Sequence, residues 1–562
     1  MFLFGTHRSV VQRMRLSADQ NLGAGNLFWH TCRVAGDLDR PILFHPQQAS
    51  PIEDIQEYSL SALRSSVVRY ANWYSAHGIR PGSRVGVYTA NGLSGLLHHF
   101  AITGIGAVTV LANPKMAPDV AAGYFRRTQV NAIVGDADRV AACSAAGVDA
   151  ELTTTVDQLD QDAAPSDATV PEHAHRHAAD DLILISHSSG TTGVPKPTLF
   201  THRGFFIGKR ERLWNFPSRR SDRMLTALPH SHSAGISYLS LALMLGLPTL
   251  MVDDVTGPGV ASAMNRFHPT IVLGFPSSLA DLPIALLSAE ARRDVHTWVG
   301  MGDASHEHHI RPLIQLGHRP HRGKSLAGST YIDGLGSSEM GMVLFKNAHT
   351  PETAHYGRMI GKPVAVVREA AVLDELGNPL PAGQPGLLGV RTPSVTAGYW
   401  DDPELTEQAR RGDYFLTGDV VRRDEDGNFY HLDRTPDVIT TAERPVYSLP
   451  IEEVVLKATD ALDAAVVAVE DPEHRSTSRP IAVVLFKDVT PPPVDELLAR
   501  CNAELDKAGL SSVRALVVAA GRDGLPVGVT GKVLKRVLRE RHRALLREPA
   551  QPVRPGVALI AG

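Results

Sequence analysis

Leu182-Ile183-Leu184-Ile185-Ser186-His187-Ser188-Ser189-Gly190-Thr191-Thr192-Gly193-Val194-Pro195-Lys196 passes from four aliphatic residues into hydroxyls, glycines and one lysine. The aliphatic run predicts a buried strand. Gly190 and Gly193 let the following backbone turn without a Cβ clash and bring amide groups close to an anion. Ser188, Ser189, Thr191 and Thr192 add hydroxyl donors, and Lys196 adds a positive charge. A strand that ends in such a loop is a grip for phosphate. The spacing is not that of the Gly-x-x-x-x-Gly-Lys-Ser/Thr loop, because Pro195 precedes the lysine.

Outward from this loop, short β-rich runs alternate with helical stretches. Arg84 to Tyr88 predicts a strand, Leu93 to Gly104 a helix, and Ala107 to Leu111 a strand. This alternation predicts parallel βαβ units with helices on both sheet faces. From Ala382 to Tyr399 glycine, proline and β-branched residues predict short antiparallel strands, followed by a hairpin at Asp424-Glu425-Asp426-Gly427-Asn428. After Asp433 a second unit begins. Ile451–Thr459 and Val494–Ala508 predict helices, Ala464–Val469 and Ile481–Phe486 predict strands, and Lys532–Arg547 predicts a basic amphipathic helix. The expected architecture is α/β: residues 1–432 as two βαβ-layered subdomains plus a small β-barrel-like subdomain, and residues 433–562 as a small mobile α+β domain.

Composition narrows the function classes. The 562 residues are 43% hydrophobic and 21% charged, the balance of a chain able to bury a large core. A formal net charge of −4 argues against nucleic acid as partner. Ile236 to Val252, the longest apolar stretch, is interrupted by Ser240, Gly246 and Pro248 and short for a membrane span. Cys32, Cys143 and Cys501 lie far apart and form neither a metal pair nor a disulfide framework, which suits the cytoplasm. Arg8, Arg13 and Arg15 near the start are not followed by the apolar core of a signal peptide. His306-Glu307-His308-His309 lacks the His-Glu-x-x-His spacing of a helical metal site.

Further motifs follow the phosphate loop in order: Leu228-Pro229-His230-Ser231-His232, Gly300-Met301-Gly302-Asp303-Ala304, Asp333-Gly334-Leu335-Gly336-Ser337-Ser338-Glu339, Gly398-Tyr399-Trp400, Thr417-Gly418-Asp419, Asp433-Arg434 and Pro526-Val527-Gly528-Val529-Thr530-Gly531-Lys532. The ordered series resembles the acyl-adenylate-forming, or AMP-dependent synthetase/ligase, superfamily, closest in texture to acyl- and aryl-CoA synthetases. The resemblance spans roughly Tyr58 to Arg539.

The resemblance implies residue roles. His232 would lie beside the acyl carboxylate, and Gly302, Asp303, Ala304, Asp333, Gly334, Leu335 and Gly336 would line the adenine side. Ser338 would reach the α-phosphate and Glu339 would hold Mg²⁺, as a hard oxygen ligand should. Asp419 would hold the ribose hydroxyls and Arg434 the ribose–phosphate region. Lys532, on a C-terminal domain that rotates between half-reactions, would meet both the acid and the α-phosphate. Catalytic weight thus falls on Lys532, Glu339, His232 and Arg434, with positioning and charge supplying the rate.

The expected reaction turns a carboxylic acid and ATP into an acyl-adenylate and pyrophosphate, then passes the acyl group to CoA. A carrier protein or other nucleophile is an alternative acceptor. A half-enzyme that only thioesterifies a supplied acyl-adenylate, and a non-catalytic regulator, are further alternatives. His230 to Gly246 contains no Asp or Glu to hold an α-ammonium group, so a non-α-amino acid is expected. The apolar residues Gly235, Ile236, Phe275, Pro276, Met301 and Met340, with His232, point to an aryl, alicyclic or fatty group. A homodimer is left open. The chain departs from the family pattern where Leu335 replaces an aromatic residue, where Pro436 occupies the pivot, and where Thr440 to Pro450 lacks a glycine and runs about two residues longer.

Overall fold

The computed structural model describes residues 8–47, 52–163, 175–188, 195–303, 305–321, 323–474, 476–487, 489–528, 531–547 and 556–559. Two helices at the centre, Gly92–Gly104 and Ser233–Leu245, explain the rest of the large unit. Both are predominantly apolar around their whole circumference, as a helix surrounded by protein must be. Every residue of the second is buried, and only Ser94 of the first is partly open. Asn91 caps the first by accepting from the Ser94 amide, and Gly246, at φ 68°, ends the second in a left-handed turn. The apolar stretch Ile236 to Val252, too short for a membrane span, is the greater part of this second buried helix followed by the strand Thr249–Met251.

A sheet lies on either side of these helices. One has seven strands, in the order Gly398–Tyr399, Lys196–Thr201, Leu182–Ser188, Val108–Leu111, Arg84–Tyr88, Ala132–Gly135 and Leu152–Thr155. Its five strands from Leu182–Ser188 onward are mutually parallel. The other sheet is parallel from Thr330–Gly336 through Thr297–Met301, Ile271–Gly274, Met224–Ala227 and Thr249–Met251 to Pro41–Pro46. One hydrophobic cluster joins the facing sides of both sheets, with Val85, Leu111 and Leu184 from one and Leu273, Val299 and Met301 from the other. Each large aliphatic or aromatic side chain buried there contributes about 1.5–3 kcal/mol.

The antiparallel unit expected after Ala382 is present. Its strands Met359–Pro363, Phe429–Arg434, Tyr414–Arg423, Gly386–Arg391 and Glu369–Leu373 continue the second sheet beyond Val343–His349. The hairpin falls between Arg423 and Phe429, as the turn residues predict.

The smaller unit has a four-stranded sheet in the order Asp463–Glu470, Ser478–Leu485, Ala515–Val518 and Val557–Leu559. Helices Ser448–Thr459 and Val494–Lys507 cover one face through Ile451, Val455, Leu497 and Cys501. Leu538 of the helix Lys535–His542 packs on the other face. That helix is shorter than the predicted Lys532–Arg547. The Gly528 amide donates to the Lys532 carbonyl at 2.8 Å, and Val527 bridges Val533, so Lys532 belongs to a turn. Among the described residues, no helix is long and apolar enough to cross a membrane. All three cysteines are buried thiols.

Candidate active site

Strand register brings the distant motifs together. Ser188, at the end of its strand, pairs with Lys196, so the intervening loop is anchored at both feet. Ser189, Gly190, Thr191, Thr192, Gly193 and Ala304 lie outside the described residues. In the second sheet Gly300 pairs with Asp333, and Met301 with Gly334, which sets the third and fourth motifs side by side. Asp419 pairs with Arg434 across the hairpin.

Charge then organises the site. Arg434 Nε stands 3.1 Å from Asp419 Oδ1 and donates to the Gly418 carbonyl at 3.2 Å. Burial alone would raise the Asp419 pKa, but Arg434 and His431 overcome it and hold the carboxyl well below the usual range. Tyr399 donates its hydroxyl to Glu339 Oε1 at 3.1 Å, and the Lys196 ammonium lies 5.9 Å from the Tyr399 ring centroid. Lys532 is half-buried among these groups. Desolvation first, then Arg434, lowers its pKa against the opposing pull of Asp303, Asp419 and Glu339.

His232 caps the helix Ser233–Leu245. Its Nδ1 accepts from the Ala234 amide at 3.2 Å. Burial, aided by His187 and Lys532, pushes its pKa down to about 3, so the ring is neutral at ordinary pH. A neutral ring whose Nδ1 accepts must carry its proton on Nε2. His232 is therefore a fixed donor.

The site encloses two connected spaces. A chamber of about 60 Å³ is bordered by His232, Met301, Gly302, Gly336, Ser337, Ser338, Glu339 and Lys532, among others. A cavity of about 420 Å³ adjoins it through Ser188, Arg434 and Lys532, and runs past Lys115, Met116, His187, Pro276 and Asp303 to Pro436. The acyl pocket expected from sequence differs from this chamber. Gly235, Ile236 and Met340 do not border it. Gly235 is held where an added Cβ would stand 2.2 Å from the Pro229 carbonyl oxygen, Ile236 packs in the inter-sheet core, and Met340 joins Leu344 and Phe345 beneath the antiparallel strands. Gly334 and Leu335 also lie outside both linings, and Asp333 is turned toward Arg358 and Ser305.

Other groups join the site to which the motifs assign no role. Tyr399 reaches Glu339 across 60 residues. His187 is buried at the cavity wall, and its Nε2 has no hydrogen-bond partner among the described residues. Burial lowers its pKa to about 4. At the junction with the smaller unit, Ser448 donates its amide and hydroxyl to Asp433 at 2.6 and 2.8 Å, while Lys535 lies 2.7 Å from Glu452. The histidines 306 to 309 face the same unit, His306 against Glu453 at 3.0 Å and His309 against the Leu462 carbonyl at 2.9 Å.

Residues 33–400 match the family described as AMP-binding enzyme, and the chain belongs to it, within the acyl-adenylate-forming superfamily whose members activate acids with ATP. It is 35% identical to a 3-aminoavenalumate diazotase from Streptomyces sp, over 95% of this chain and 98% of that protein. It is 27% identical to a feruloyl-CoA synthase from Amycolatopsis sp, over 85% and 93%. The fold matches an anthranilate CoA ligase solved with anthranoyl-AMP at a TM-score of 0.80 and 20% identity, over 94% and 98%.

Proposed function

We propose that this enzyme adenylates a small oxyacid, nitrite, and passes the activated nitrogen to an aromatic amine, a diazotase-type reaction. The size of the chamber beside Lys532, Glu339 and His232 carries this reading. It holds about 60 Å³, below the roughly 150 Å³ of a cavity that takes up benzene, and suits a small oxyanion. The full-length likeness to a diazotase supports it.

In the first step a nitrite oxygen attacks the α-phosphorus of ATP, the α–β bridging bond breaks, and pyrophosphate leaves. His232 Nε2–H holds one nitrite oxygen while Lys532 screens the two anions from each other. Glu339, steadied by the Tyr399 hydroxyl, is a fitting oxygen ligand for Mg²⁺ on the phosphates. Asp419 and Arg434 hold the ribose side. In the second step the amine lone pair attacks the nitrosyl nitrogen, and the bond to AMP breaks. The larger cavity admits the amine, and His187, neutral and unpartnered at its wall, takes the amine proton. The N-nitroso product tautomerises to the diazohydroxide, which takes back the proton held by His187 and loses water to give the diazonium group. No external oxidant or reductant is needed.

Adenylation of an aryl, alicyclic or fatty carboxylic acid followed by transfer to CoA or a carrier protein is the second reading, favoured by the feruloyl-CoA synthase likeness. The segment where the resemblance calls for a glycine is instead a hairpin, Ile439–Thr440 against Pro445–Val446, closed by Thr441 Oγ1 donating to the Arg444 carbonyl at 2.7 Å. We place the domain border at Leu432–Asp433, with Pro436 restricting the pivot.

Pyrophosphate exchange into ATP separates the readings. Exchange driven by nitrite, with AMP release on adding an aminoaryl acid, is the expected result. Exchange driven only by bulky carboxylic acids, with thioester on adding CoA, would sink the diazotase reading and establish the second.

A further inference from the structure

We propose that His175, His177 and Asp181 form a site for one divalent transition-metal ion of the zinc class, separate from the catalytic cavities and independent of the reaction assigned above. His175 Nε2 and His177 Nδ1 each lie 3.7 Å from the same oxygen, Asp181 Oδ2. All three ligand atoms lie within 4.8 Å of one another. A separation of 3.7 Å is too long for a hydrogen bond between nitrogen and oxygen. It is close to the spacing of about 3.3–3.6 Å between atoms that share a tetrahedral ion at about 2.0–2.2 Å.

The tautomer agrees. His177 Nε2 lies 2.9 Å from the Thr103 carbonyl oxygen, which only accepts, so that nitrogen bears the proton. The lone pair is left on Nδ1, aimed at Asp181. The His177 side chain is 1% exposed, and its Nδ1 has no hydrogen-bond partner among the described residues. A ligand imidazole whose other nitrogen donates to a backbone carbonyl is the arrangement that fixes a metal-binding histidine.

Asp181 is itself held in place, its Oδ2 accepting from the Ala178 amide at 2.8 Å. Two imidazoles and one carboxylate suit Zn²⁺, Co²⁺ or Ni²⁺ rather than the all-oxygen preference of Mg²⁺ or Ca²⁺. His175 and Asp181 are partly open, with side chains 29% and 39% exposed, so water completes the coordination. The ion would brace the start of the strand Leu182–Ser188, which ends at the phosphate loop. His175 donates its amide to Gly104 at the end of the central helix, and His202, stacked 4.6 Å from His177, accepts from the Gly25 amide. The site is a structural clasp at the base of the strand that carries the catalytic loop.

The test uses the full chain, stripped with a chelator and titrated with Co²⁺ alone and with Zn²⁺ alone. One equivalent should bind, with the visible absorption of tetrahedral Co²⁺ and a rise in Tm. His175→Ala removes a partly exposed ligand and leaves the core intact. It should weaken that equivalent by about tenfold or more, while His355→Ala, an exposed histidine elsewhere, leaves it unchanged. No saturable equivalent, equal binding by His175→Ala, or tighter binding of Mg²⁺ than Zn²⁺ would each overturn the site and leave an ordinary histidine–aspartate ion pair.

Discussion

Phe275 stands edge-on to His232, with ring centroids 5.5 Å apart and planes at 87°. Two glycines distant in sequence close on the same ring. A Cβ on Gly302 would come within 2.8 Å of it, and a Cβ on Gly531 within 2.7 Å. Phe275 is thus the surface on which the turn bearing Lys532 docks, and the docking depends on the absence of a side chain at 531.

Gly531 also has φ +77°, where an L side chain is strained. Gly531→Ala should lift the turn off Phe275 and carry Lys532 away from the α-phosphate. A displacement of about 1 Å in a reacting group costs on the order of 10²-fold in rate. Pyrophosphate exchange should fall by about that factor while Tm stays within a few degrees of wild type. Unchanged exchange would show that Lys532 reaches the site by another route.

His232 offers a second test. A histidine with a pKa near 3 gives no titration limb between about pH 5.5 and 8, where an ordinary histidine titrates. Replacing it with alanine removes a donor to an anion, worth about 1.5–3 kcal/mol. The KM for the acid should rise about 10–100-fold and the KM for ATP should stay near wild type. A neutral limb in the wild-type profile that vanishes in His232→Ala would refute the fixed-donor role.

Much of this site is legible in sequence because each motif ends a strand of predictable type. Leu182–Ser188 opens on an aliphatic run, Thr297–Met301 and Thr330–Gly336 run into glycine-bearing motifs, and their C-terminal ends are where a parallel sheet offers a ligand site. The acyl pocket was less legible. Ile236 and Met340 are apolar and close in sequence to site residues, but helix phase turns one into the inter-sheet core and a one-turn 3₁₀ helix turns the other under the antiparallel strands. Tyr399 and His187 show no local periodicity that marks them. Tyr399 acts through a hydroxyl across the sheet, and His187 through an unpartnered nitrogen that only packing reveals.

Asp419 and Arg434 couple the nucleotide site to stability. The folded Asp419 pKa lies below the unfolded value of about 3.9. Its contribution is therefore fully present above about pH 4 and lost as pH falls through the folded value. Asp419→Asn breaks a half-buried charged pair, which costs about 1.5–3 kcal/mol. Its Tm deficit against wild type should be full at pH 7 and should narrow below about pH 4. ATP affinity should fall at least about tenfold. A deficit that is constant from pH 7 to pH 3 would show that the charge on Asp419 is not what holds Arg434.

The 60 Å³ chamber makes the last prediction. Met301 is 2% exposed and borders it, so Met301→Ala removes three heavy atoms from the wall and opens space toward the inter-sheet core. The substitution should cost about 2–5 kcal/mol of stability, as emptied core sites do. In exchange, the variant should accept acetate or propionate in pyrophosphate exchange, which the wild type should reject in favour of nitrite. If the wild type already turns over benzoate-sized acids, the chamber opens in solution and cannot be the selecting element. If Met301→Ala folds but gains no small carboxylate, selection rests on the oxyanion contacts of His232 and Lys532, and chamber volume is not what excludes the larger acids.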